Sequence, residues 1–208
     1  MSTPSIPINF VNGSSALPLA GKVLFCDSCF LINAAKPSTL ENKIKKKLTK
    51  MGCGLAYNIT VKSEVMHVMR YELVEHAIIN KTIKSNIAID NLWRSNKSRN
   101  EKLKEMALKH FNFFSKAIGP NGSILNNEVE TIVLGGCVYF GQANGAKASW
   151  QDVYQIMGET CLDSSDAMIF NIAIHNLTFS GIITSDKDFI NCKRYTSAPR
   201  AMPIYICQ

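Results

Sequence analysis

The sequence predicts an α/β protein: a central, mainly parallel sheet between helices, in three layers. Three observations carry that prediction. Short apolar runs without polar alternation, KVLFCD at 22–27, GIIT at 181–184 and MPIYIC at 202–207, have the character of strands buried on both faces. Segments with apolar residues three and four apart stand between them, as in amphipathic helices. The order strand, helices, strand, helices, then helix, strand, strand is the alternation a parallel sheet requires.

Each element has its own signals. Met1–Gly21 is rich in polar and turn-forming residues and reads as a loose arm or an edge addition. After KVLFCD, SCFLINAAK reads as a helix broken by Pro37, and TLENKIKKKLTKMG as a second helix ended by Gly52 or Gly54. LAYNIT reads as the second strand, with Asn58 or Thr60 to cap the next helix. That helix carries Val61, Val65, Val68, Met69, Leu73 and Ala77 on one stripe. Residues 88–119 continue as helix up to the break GPNG, and NNEVETIVLGGCVYFGQANGA leaves helix and strand both open. Ser149 suits the cap of SWQDVYQIMGE, Asp166 to Leu177 a further helix, GIIT a buried strand, and MPIYIC a last one. The expected organisation is an arm over 1–21 and one domain over 22–208, with a helical insertion at about 80–150.

The 208 residues, 46% hydrophobic and 19% charged, describe a globular chain with room for a sizeable core. No apolar run reaches the roughly 18 to 20 residues of a membrane span, and no basic start precedes an apolar block, so a cytoplasmic setting is expected. Seven irregularly spaced cysteines fit reduced, structural thiols better than a disulfide framework. The single C-x-x-C, Cys26 to Cys29, lacks the second ligand pair of a zinc site.

The net charge of +7 is concentrated in Lys43, Lys45, Lys46, Lys47 and Lys50 and again in Arg94, Lys97, Arg99, Lys102 and Lys104. Such stretches attract polyanions, RNA among them, although a solvated helix face has the same composition.

The acids are the chemically informative residues. In open α/β sheets ligands sit outside the carboxyl ends of the strands. Asp27 ends the first strand, Asp186 and Asp188 follow GIIT, and Asp166 opens the helix leading into GIIT. Glu64 lies near the start of the helix after the second strand, with Glu72 as its competitor two turns on. Carboxylates about 5 Å apart repel by roughly 3 kcal/mol per pair at an effective dielectric near 20. A cluster of them therefore calls for a cation, and Mg²⁺ or Mn²⁺ takes oxygen ligands and leaves room for phosphate oxygens. Each acid alone also has an ordinary reading as a cap, a first-turn helix acid or a turn former; Asp163 is read as a cap or a surface acid.

Three stretches together resemble the PIN domain, a metal-dependent nuclease fold. VLFCDSCFLI resembles its opening strand, Asp and small hydroxyl residue. LAYNITVKSEV resembles the unit that presents a Glu. DAMIFNIAIHNLTFSGIITSDKDF resembles the last acidic unit, with its Thr-x-Asp. The resemblance covers about 20–80 and 150–208. It implies catalytic roles for Asp27, Glu64, Asp166 and Asp186, metal ligation by Asp27, Asp166 and Asp186 with Asp188 as a further acid, and orienting roles for Ser28 and Thr184. It also implies an Mg²⁺- or Mn²⁺-dependent ribonuclease acting on RNA, with a homodimer and an antitoxin-like inhibitor protein as further partners. The rival reading is a catalytically inactive RNA-binding or protein-interaction module on the same fold. A haloacid-dehalogenase-type site is excluded because Asp27-Ser28-Cys29 lacks the second acid, and no phosphate-binding P-loop motif occurs. The four histidines show no arrangement with a Ser or Cys nucleophile.

Overall fold

The structure is a computed structural model and describes residues 5–79, 111–141 and 149–208. It divides into two compact units, one of residues 1–63 and 136–208, the other of residues 64–135.

The first unit holds a six-stranded sheet in which every pairing is parallel. Its strands are β1 (Ile8–Val11), β2 (Val23–Cys26), β3 (Gly54–Tyr57), β4 (Val138–Tyr139), β5 (Gly181–Thr184) and β6 (Ile204–Cys207), in the spatial order β1-β6-β5-β2-β3-β4. The α/β class predicted from sequence is therefore the observed one. The uninterrupted apolar character of GIIT and IYIC has its expected cause: every residue of β5 and β6 is buried, as strands covered on both faces must be. Residues 5–21 are not a loose tail. They contribute β1, which lies along β6 from Ile8 opposite Ile204 to Val11 opposite Cys207. Lys47 pins the segment that follows, its ammonium donating to the Ser15 carbonyl at 2.7 Å.

Helix α1 (Ser28–Ala35) follows β2 directly, and α2 (Leu40–Lys50) follows after a break at Pro37. Thr39 caps α2 by accepting from the Asn42 N–H at 3.1 Å. Asn58 is the cap expected for α3 (Ile59–Ile79): its side-chain oxygen accepts from the Val61 N–H at 3.0 Å. Its amide nitrogen, by contrast, is buried with no hydrogen-bond partner among the described residues.

The division between the units falls inside α3. In the second unit the buried positions on α3 are Val65, Met69 and Val74, while Val68 and Leu73 of the predicted stripe are half-buried. The unit continues with α4 (Phe111–Ile118), a tight 3₁₀ turn over Pro120–Gly122, α5 (Ser123–Asn127) and a π-helical stretch over Glu128–Val133. Gly119 is required at the break. It has φ +78°, and a Cβ there would stand 2.7 Å from the Ile124 side chain. The open choice over NNEVETIVLGGCVYFGQANGA resolves, up to residue 141, as helix followed by a two-residue strand, and its last five residues lie outside the described ones.

Helices α6 (Trp150–Thr160) and α7 (Ser164–His175) return to the first unit. Ser149 caps α6 as expected, accepting from the Gln151 N–H at 3.1 Å. Helix α7 starts two residues earlier than predicted: Asp163 is its cap, accepting from the Asp166 N–H at 2.9 Å, and Asp166 lies in its first turn. Seven of its twelve residues are buried, so α7 is a core helix and not an amphipathic surface one. Gly181 then opens β5 where a Cβ would meet the Pro203 carbonyl at 2.7 Å, so only glycine lets β5 and β6 approach at that point. Among the described residues no helix is long and apolar enough to cross a membrane.

Candidate functional site

The strand order places a topological switch point between β2 and β5. From β2 the chain moves on to β3 on one side, and from β5 to β6 on the other, while β2 and β5 themselves are paired. Connections leaving in opposite directions open a crevice at the carboxyl ends, the usual ligand position in open parallel sheets. Asp27 follows β2 and Asp186 follows β5, so these two acids flank that crevice.

Asp27 is held firmly. It is 1% exposed, and one carboxylate oxygen accepts from the Ser28 N–H at 2.6 Å, which caps α1. Its other oxygen accepts from the Thr184 hydroxyl at 2.7 Å. The Thr184 oxygen in turn accepts from the Asp186 N–H at 2.8 Å. Thr184, fully buried and 157 residues along the chain from Asp27, thus links the two acids. The Asp186 carboxylate accepts from the Asp188 N–H at 2.8 Å and starts the 3₁₀ stretch Lys187–Arg194. Asp186 is half-buried and Asp188 is exposed.

The third acid, Asp166, is located by two thiols. The Cys29 thiol, in the first turn of α1, is pushed up to about 12, first by desolvation and then by the negative charges of Asp27, Asp186 and Asp166. Burial raises the Cys192 thiol further, with Asp166 again adding to the rise. Asp27, Asp186 and Asp166 therefore all act electrostatically on Cys29. Among the described residues, however, no three His, Cys, Asp or Glu side chains stand close enough to hold one metal ion directly. The donor chemistry is nonetheless hard, carboxylate and hydroxyl oxygens gathered at the carboxyl ends of β2 and β5, which suits Mg²⁺ or Mn²⁺ rather than a soft ion.

Other predicted residues are placed differently. Glu64 and Glu72 both belong to the second unit, while Asp27, Asp166 and Asp186 belong to the first. Ser28 is buried and contributes through its backbone N–H, with its hydroxyl 3.4 Å from Asp27. Of the cationic residues, Lys43 and Lys46 are exposed, Lys45 is half-buried and Lys47 is engaged with Ser15. Arg94, Lys97 and Arg99 lie outside the described residues. All seven cysteines are free. Cys26 and Cys29 do not act as a pair: Cys26 is buried and hydrogen-bonds Cys137, while Cys29 is exposed among the acids.

One acid at this edge has no sequence signal. Glu41, in the first turn of α2, accepts from the Ser185 hydroxyl at 2.8 Å and so braces the turn between Thr184 and Asp186. Only tertiary contact joins residues 144 positions apart.

The Thr184 link predicts a sharp contrast between two substitutions. Thr184→Val keeps the shape but strips Asp27 of a donor and the Asp186 N–H of its acceptor. Two polar groups lose their partners, at about 1–3 kcal/mol for each one left buried. Thr184→Ser keeps the hydroxyl and stays within about 1.5 kcal/mol of the parent. Urea unfolding of the two variants measures the difference, and equal stabilities would show that the hydroxyl carries no such load.

No family model matches the chain, and no curated protein matches it.

Proposed function

We propose that this chain is a PIN-like, Mg²⁺- or Mn²⁺-dependent ribonuclease that hydrolyses phosphodiester bonds at the carboxyl edge between β2 and β5. One observation supports the reading above the others: Asp27 and Asp186, distant in sequence, flank the switch-point crevice and are joined through one buried hydroxyl. When bound there, a dication supplies charge against the phosphodiester oxygens and acidity to the attacking water. Asp27 and Asp186 are the ligands in this proposal, with Asp166 acting directly or through water, since Mg²⁺ usually retains several waters. Ser28 and Thr184 orient Asp27 by donating to its two oxygens, and Glu41 holds the Asp186 turn through Ser185. Asp188, exposed beside Asp186, is a fifth acid at the rim. Glu64, expected from the sequence as a fourth member, belongs to the second unit and is left out of this set. Lys43 and Lys46 are backbone-phosphate contacts, and so are Arg94, Lys97 and Arg99.

The second reading, an RNA-binding or protein-interaction module without catalysis, is favoured by one fact: no three acids among the described residues are within direct reach of one ion. Titration with Mg²⁺ and Mn²⁺ separates the two. The nuclease reading expects the melting temperature to rise by several degrees at saturating ion, because ligand bound only by the folded state stabilises it. It also expects cleavage of an RNA oligonucleotide. Absence of both effects with both ions would leave the binding module as the better account.

A further inference from the structure

We propose that Asn58 is an oxyanion donor: its amide Nδ2, together with the first turn of α3, takes a non-bridging oxygen of the phosphodiester. The proposal rests on the nuclease reading for the identity of the anion. It adds a neutral donor to a site otherwise built of carboxylates and the groups that orient them.

One side chain does two separable things. As the cap of α3, Asn58 uses its Oδ1, which accepts from the Val61 N–H at 3.0 Å, while its backbone carbonyl accepts from the Lys62 N–H at 3.0 Å. Its Nδ2 belongs to the same planar amide and so is held at the same helix end. Yet the side chain is 0% exposed, and Nδ2 has no hydrogen-bond partner among the described residues. A cap needs only an acceptor, which serine, threonine or aspartate would supply as well. The NH₂ group is therefore surplus to the helix, and a donor buried without a partner lowers the stability of the free protein. Such a group is accounted for when a ligand supplies the missing acceptor.

The surroundings favour an anion as that acceptor. Phe25 of β2 pairs with Ala56 of β3, and two residues beyond this pair come Asp27 and Asn58. Adjacent strands lie about 5 Å apart, so the residues that cap α1 and α3 stand side by side on the carboxyl edge. Residues 59–63, the start of α3, lie in the same unit as Asp27. No acid stands in the first turn of this 21-residue helix, so the positive end of its dipole is not already answered by the chain itself. With the Val61 and Lys62 N–H groups bonded to Asn58, those of Ile59 and Thr60 have no acceptor within the helix. Ile59 is 51% exposed, and exposed side chains turn within nanoseconds, which gives a ligand a way to this helix end. The Asp27 carboxylate repels an anion at such a distance. The oxyanion is therefore held most tightly when a dication offsets Asp27.

The test follows thermal melting of the full chain with Mg²⁺, with inorganic phosphate and with both. It compares the parent with Asn58→Ser, which keeps an acceptor for the cap and removes the amide donor. Without ligand, Asn58→Ser should melt no lower than the parent, because the lost NH₂ had no partner. Mg²⁺ alone should raise both melting temperatures equally, since Asn58 does not ligate the ion. Phosphate added to Mg²⁺ should raise the parent further, and Asn58→Ser should need about tenfold more phosphate for the same rise. Asn58→Asp, which sets an acceptor where the donor stood, should show no rise with phosphate. Single-turnover cleavage of an eight-nucleotide oligouridylate should slow by about 10²-fold in Asn58→Ser. Asn58→Thr replaces Asn58→Ser should the latter not fold. The proposal is overturned if phosphate stabilises neither protein or both alike, or if Asn58→Ser and Asn58→Thr both melt well below the parent without ligand, which would reveal an internal partner for the amide. The two readings fail separately. A phosphate effect that depends on Asn58, with Mg²⁺ inert and RNA uncut, defeats the nuclease reading and leaves an anion site. Cleavage lost in Asp27→Asn, with Asn58→Ser equal to the parent in rate and in its response to phosphate, defeats the Asn58 proposal alone.

Discussion

Asp27→Asn is expected to reduce phosphodiester cleavage by about 10³-fold or more, the effect of losing several kcal/mol of charge stabilisation in the transition state. The same substitution should remove the rise in melting temperature produced by Mg²⁺ or Mn²⁺ in the parent. Its effect on stability is smaller but definite. One Asp27 oxygen accepts the Ser28 N–H, and the other accepts the Thr184 hydroxyl, whose own oxygen already takes the Asp186 N–H. Asparagine has a single acceptor oxygen, so it can serve the helix cap or Thr184 but not both. The cost is about 1–3 kcal/mol, that of one buried polar group left without its partner. Single-turnover cleavage, melting with and without ion, and urea unfolding measure the three effects separately. An Asp27→Asn variant that still cleaves at the parent rate would remove Asp27 from the site.

Phe179→Ala is expected to destabilise the first unit by about 3–5 kcal/mol, the range for deleting a fully buried aromatic ring. Phe179 is completely buried just ahead of β5, and its ring meets Phe25 of β2 at 4.8 Å and Phe140 after β4 at 4.9 Å. It therefore fills the space between both ends of the β2–β3–β4 half of the sheet and the entry to β5. Truncation leaves a cavity bounded by the Phe25 and Phe140 rings, and the contact each makes with the Phe179 ring is also lost. Phe179→Leu retains most of the volume and should cost clearly less. Denaturant unfolding followed by tryptophan fluorescence reads the difference. A loss below about 1 kcal/mol would mean that the surrounding side chains collapse into the gap.

Stretches whose pattern is local were legible in the sequence. VLFC, GIIT and IYIC carry their burial in their own composition, because a strand covered on both faces has no polar side to show. The caps Ser149 and Asn58, the latter one of two candidates with Thr60, were readable for the same reason: a cap bonds to a backbone N–H two or three residues away. Asp163 and Asp166 show where local reading loses resolution. Both are acids at the start of α7, and only the 2.9 Å bond from the Asp166 N–H tells which one caps the helix. The predicted placement of Asp27 and Asp186 at one edge followed from parallel topology, and β2 and β5 do pair in parallel.

Taken alone, the chain of amino acids determined the α/β class, the parallel strands and the acids that stand at strand ends, since these depend on periodicity and short-range bonds. Tertiary structure alone decided that Thr184 joins Asp27 to Asp186, that Glu41 braces Ser185, that Cys26 partners Cys137 and not Cys29, and that Glu64 falls in a separate unit. The physical reason is common to all four. Each depends on where residues distant along the chain come to lie in space, and sheet order, which sets that, is fixed by burial of both faces rather than by any short stretch of sequence.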